Sequence, residues 1–75
     1  MEKNRFDFSR LRGRIVERFG SCGAFAEAMG FLRSGLSSRM NNQTRWRDVE
    51  IYAACELLGI PGDEITLYFF TPKFD

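Results

Sequence analysis

Seventy-five residues make a single domain, 1–75, near the smallest size at which a hydrophobic core holds without metals or disulfides. So short a chain has little apolar surface to spare for a deep cleft, and it contains no histidine. Both facts argue against an enzyme. Cys22 and Cys55 stand far apart with neither zinc spacing nor an imidazole base, so the sequence predicts no metal, no cofactor and no small-molecule substrate. A hydrophobic share of 44% excludes disorder. No apolar run approaches the ~18 residues of a membrane span and no signal peptide opens the chain. The expected setting is therefore the bacterial cytoplasm, away from membranes, with reduced thiols.

The net charge of +1 conceals a separation. Residues 1–47 carry ten Lys/Arg and four Asp/Glu, a balance of +6, while residues 48–75 carry one Lys and six acids, a balance of −5. A basic front suits a polyanion, with the acidic tail turned away from it.

Helical periodicity prevails from end to end. Asp7 or Ser9 can cap a first helix with the apolar stripe Phe8, Leu11, Ile15 and Phe19, stopped by Gly20. A second helix runs from about Cys22 to Met29, with Phe25, Ala26 and Met29 inward and Gly30 ending it. The third covers about Arg33 to Asn41. The fourth starts between Trp46 and Asp48 and buries Ile51, Ala54, Cys55 and Leu58 before Gly59. The last spans about Gly62 to Phe70, with Ile65, Tyr68 and Phe69 on its stripe.

The informative segment is Cys22–Asn42. Only Gly30-Phe31-Leu32 separates two helices, and Gly30 can take the left-handed backbone that so sharp a turn requires. Ala26 is small enough for close crossing, and Phe25, Met29, Leu36 and Met40 can fill the angle. This is a helix-turn-helix plan. On the second of these helices Arg33, Ser37, Asn41, Ser34 and Ser38 fall within an arc of roughly 140°, opposite Leu36 and Met40. Short hydroxyls permit close approach to base edges, Arg suits guanine and Asn suits adenine.

The segment resembles the helix-turn-helix of the Cro and λ-repressor superfamily through Ala26, Gly30 and Leu36. Met29-Gly30, Ser34-Gly35-Leu36 and Asn41 resemble the λ-repressor version. Leu11–Glu17, Phe25–Ala28, Glu50-Ile51, Cys55–Ile60 and Tyr68–Phe70 extend the resemblance to short phage-encoded Cro-like regulators. It implies a compact, all-α, five-helix domain and a phage or prophage repressor that binds double-stranded operator DNA as a homodimer. The expected DNA-binding residues are Cys22, Gly23, Arg33, Ser34, Ser37, Ser38, Asn41, Asn42, Thr44 and Arg45. The expected dimer contacts are Tyr68, Phe70 and Phe74, because four aromatics near the end exceed what one short helix can bury.

Three positions depart from the superfamily pattern. Cys22 stands where a phosphate-binding Gln is usual, Leu32 replaces the usual Ser/Thr cap, and Arg39 occupies a position that is often aliphatic. For Arg39 the expectation is a packed stem with the charge in water. Trp46 is expected to anchor the core. The competing reading is a protein-interaction module, an anti-repressor or adaptor, that keeps the helix-turn-helix fold without binding DNA. The missing Gln at Cys22 and the aromatic C-terminus favour it.

Overall fold

The computed structural model describes residues 5–73. They form an all-helical domain: α1 (Ser9–Phe19), α2 (Cys22–Met29), α3 (Arg33–Met40), α4 (Asp48–Leu58) and α5 (Ile65–Phe69), with a 3-10 turn over Gly62–Glu64 leading into α5. The third helix ends one residue before Asn41. The first turn expected of the last helix winds more tightly, as 3-10, directly after Pro61.

Asp7 starts α1. Its Oδ1 accepts from the Ser9 backbone N–H at 2.9 Å and from Ser9 Oγ at 2.6 Å, so Asp7 supplies the capping oxygen while Ser9 is the first helical residue. Those hydrogen bonds hold the Asp7 carboxyl below its ordinary pKa. Ser21 caps α2 by accepting from Ala24 N–H at 3.1 Å.

The helix-turn-helix geometry follows from Gly30. Its φ of +79° turns the chain, and the next residue, Phe31, donates its N–H to the Ala26 carbonyl at 2.8 Å. Phe25, Ala26, Leu36 and Met40 are buried in the angle, with Met29 half-buried at its edge. Leu11 and Ile15 of α1 and Ala54 and Leu58 of α4 close the core from the other side, and Phe69 completes it.

The two ends of the described chain meet. Asp7 N–H donates to the Thr71 carbonyl at 2.8 Å, Lys73 N–H to the Arg5 carbonyl at 3.2 Å, and Phe6 and Pro72 form one isolated antiparallel bridge. This contact takes up part of the aromatic surface from which a dimer was expected. Phe69 is buried with its ring edge-on to Trp46 at 5.1 Å, and Tyr68 packs half-buried against the core. Phe70 stays 45% exposed, yet its ring meets Phe6 edge-on at 5.6 Å. Part of the surplus aromatic surface is met by the chain's own N-terminal arm. Phe74 lies outside the described residues. Among the described residues, no helix is long and apolar enough to cross a membrane.

Candidate interaction surfaces

The structure brings only part of the expected site together. Arg33, Ser37, Cys22 and Gly23 line one cleft with Arg12, floored by Leu36 and Met40. Within it the exposed Arg33 lies over α2: a Cβ added at Gly23 would lie 3.0 Å from Nε and Nη2 of Arg33, at the movable tip of that side chain. Arg12 Nη1 points at Cys22 Sγ from 3.7 Å. Ser34 and Asn41 are exposed on α3, and Asn41 Nδ2 approaches Ser37 Oγ at 3.4 Å. Ser38 is half-buried, and its carbonyl accepts from the N–H groups of Gln43 and Thr44.

Asn42 is committed elsewhere. Its Oδ1 accepts from Phe6 N–H at 2.9 Å and its Nδ2 donates to Phe6 O at 3.0 Å, a pairing that pins the N-terminal arm. Thr44 and Arg45 border a second hollow of about 180 Å³ with Trp46, Ile51, Phe69 and Phe70. Trp46 anchors the core there, between Phe31 and Phe69, although its buried Nε1 has no hydrogen-bond partner within the described chain.

Arg39 departs from its expected role. Its head turns inward and is largely withdrawn from water: Nε and Nη2 donate to Glu50 Oε1 and Oε2 at 3.0 and 2.8 Å, and Nη1 donates to the Gly35 carbonyl at 2.9 Å. The guanidinium also lies 4.2 Å from the Phe31 ring centroid. Glu50 in turn accepts from the backbone N–H of Arg47 at 2.9 Å, at the start of α4. One carboxylate thus joins α3 to α4 and satisfies a free donor of the helix end. The Glu50 carboxyl is held below its ordinary pKa chiefly by the hydrogen bonds from Arg39.

Among the exposed apolar side chains, the sequence singles out Leu32 but not Val49 or Tyr52. Leu32, at the leading end of α3, is 78% exposed, where a helix entering a groove would bring a capping hydroxyl. Val49 and Tyr52 on α4 are 61% and 69% exposed. Their i, i+3 spacing, read as a second stripe beside Ile51, Ala54, Cys55 and Leu58, was the available signal.

Fold and surface together define a class: a small all-helical domain with a helix-turn-helix-like arrangement, in which Asn42 is committed to the N-terminal arm while Arg33, Ser34, Ser37 and Asn41 stay exposed on α3 and at its end. The chain belongs to the family described as "Protein of unknown function (DUF739)", which matches residues 4–72. It is similar to a solved structure, the modulator of repression (MOR) of the temperate bacteriophage TP901-1 from Lactococcus lactis. The two are 37% identical, the match covers 87% of this chain and 88% of that one, and the TM-score is 0.78. No curated protein matches.

That likeness overturns the reading of the chain as an operator-binding repressor. At 37% identity over 87% of this chain, the related protein is named a modulator of repression. Double-stranded operator DNA as partner, and the homodimer that was to span two half-sites, fall with it. The motifs identified the scaffold correctly, but a helix-turn-helix scaffold does not fix what its surface touches. The matched fold is that of a regulatory, non-catalytic domain, and among the described residues no His, Cys, Asp or Glu side chains gather as a metal site.

Proposed function

We propose that this protein is a phage-type modulator of repression: a helix-turn-helix-fold interaction module that acts by binding a repressor protein and does not itself read an operator. The observation that carries this reading is the 37% identity, across 87% of the chain, to a modulator of repression. The site geometry agrees with it. Asn42 is committed to Phe6, and Leu32 stands 78% exposed at the leading end of α3, where a DNA-reading helix would bring a capping hydroxyl. Kinship with the short Cro-like regulators of phages would account for the retained scaffold. The place of action would be the bacterial cytoplasm, where a repressor meets its DNA.

The test pairs two measurements on the purified chain. Calorimetric titration with the repressor encoded by the same genome should give a saturable complex. A gel-shift with random and with operator duplex should show no retarded band at low or moderate salt. A band that forms at low salt and fades steeply as salt rises, without repressor binding, would restore the DNA-binding reading.

A further inference from the structure

α4 has two faces. At 100° per residue, Ile51, Ala54, Cys55 and Leu58 point into the core, whereas Val49, Tyr52, Ala53 and Glu56 share an arc of roughly 100° on the opposite side, with Asp48 beside Tyr52. Nothing among the described residues covers this outer stripe: Val49 and Tyr52 keep most of their surface in water. Single exposed apolar residues are ordinary, but two large ones one turn apart, framed by charge, have the form of an anchor with a polar rim.

The framing charge is all of one sign. α4 contains Asp48, Glu50 and Glu56 and no Lys or Arg. Glu50 turns aside to Arg39. Asp48 and Glu56 have no ion-pair partner among the described residues, and both are exposed. The negative field at this helix is felt within it, since Glu56 adds to burial in pushing the Cys55 thiol up. The stripe also belongs to the half of the chain whose balance is −5, against +6 for residues 1–47.

We propose that the outer face of α4, with Tyr52 and Val49 as anchor and Asp48 and Glu56 as rim, is the docking surface for a basic protein surface with an apolar centre. The inference rests on the reading of the chain as a module that binds a repressor. A DNA-binding repressor must carry Lys and Arg toward phosphates, so it offers charge of the sign this face lacks. The chain's own basic half repels such a partner, which orients approach with α4 forward. Tyr52 has the size and two-ended character of residues that dominate binding at interface centres.

The experiment measures binding of the full chain to the repressor of the same genome, by calorimetry and by stopped-flow at two salt concentrations. Tyr52→Ala is expected to weaken binding at least tenfold. The double variant Asp48→Asn, Glu56→Gln is expected to slow association severalfold and to flatten its salt dependence. Arg10→Ala on α1 should bind as the unaltered chain does. All substituted side chains are exposed, and circular dichroism with Trp46 fluorescence checks that each variant is folded. If the unaltered chain binds and Tyr52→Ala binds equally well, the docking surface is elsewhere and the functional reading survives. If the unaltered chain does not bind the repressor, the functional reading fails and takes this inference with it. Sedimentation that shows self-association abolished by Tyr52→Ala would assign the face to a second copy and overturn the proposal.

Discussion

Arg39 and Glu50 meet through two parallel hydrogen bonds, Nε to Oε1 and Nη2 to Oε2, with only 14% and 13% of their side chains exposed. This fork ties the second helix of the helix-turn-helix to the start of the helix that follows. Arg39→Ala would leave the Glu50 carboxylate largely buried without its cation. Removing one partner of a buried pair costs roughly 3–5 kcal/mol, and the residual exposure places this case toward the lower end. Urea unfolding followed by Trp46 fluorescence measures it. The pair Arg39→Met, Glu50→Gln should lose less than the two single losses added, since neither charge is then stranded.

The same pair predicts a pH dependence. Hydrogen bonds from Arg39 depress the folded pKa of Glu50 below its ordinary 4.5. A depressed carboxylate contributes stability that is fully present above its unfolded pKa and is lost as pH falls through the lower, folded value. The urea midpoint of the unaltered protein should therefore fall on acidification below about 4.5, and more steeply than that of Glu50→Gln. Parallel curves for the two proteins would show that the pair contributes nothing to acid sensitivity.

Asn42 makes two hydrogen bonds to the backbone of Phe6 from a left-handed conformation, φ +64°. Asn tolerates that conformation better than residues without a short amide. Asn42→Ala removes both bonds and adds strain, at about 2–3 kcal/mol. Asn42→Gly removes the bonds but relieves the strain, and should cost about 1 kcal/mol less than the alanine. Equal losses would mean that the backbone conformation is not strained.

Arg14 closes the far end of α4, donating from Nε to the Leu58 carbonyl and from Nη2 to the Gly59 carbonyl, each at 2.9 Å. Gly59 follows with φ +66°, and a Cβ there would lie 2.9 Å from Arg18 Nη1. Arg14→Ala should cost about 1–3 kcal/mol by freeing two carbonyls at a helix end. Gly59→Ala should cost about 1–2 kcal/mol, mainly through the left-handed backbone, because the tip of Arg18 can move aside. Thermal unfolding of both variants checks the order.

Both cysteines are free thiols, Cys22 half-buried and Cys55 buried. Burial pushes the Cys55 thiol up, which lowers its reactive thiolate fraction at neutral pH. A thiol reagent should label Cys22 in the native protein and reach Cys55 at a rate set by unfolding. The protein carrying Cys22→Ser and Cys55→Ala should still fold, since Cys55 serves as a small apolar side chain. Labelling of both at one rate would mean that the α4 core opens readily.

The helices were legible in the sequence because their signals are local. The stripe of Leu11 and Ile15, the glycines at 20, 30 and 59 with positive φ, and the small Ala26 under the turn each act within a few residues of themselves. Those same signals fixed the helix-turn-helix scaffold and left little room for catalysis. What the scaffold touches was decided by contacts distant in the chain. Asn42 reaches Phe6 across 36 residues, Arg14 reaches the end of α4 across 44, and Arg39 finds Glu50 on the next helix. A polar side chain on a helical arc reads the same in sequence whether it faces a groove or a neighbouring backbone. Only folding shows which hydrogen-bonding groups are already spent and which side chains, such as Val49 and Tyr52 on α4, stay exposed.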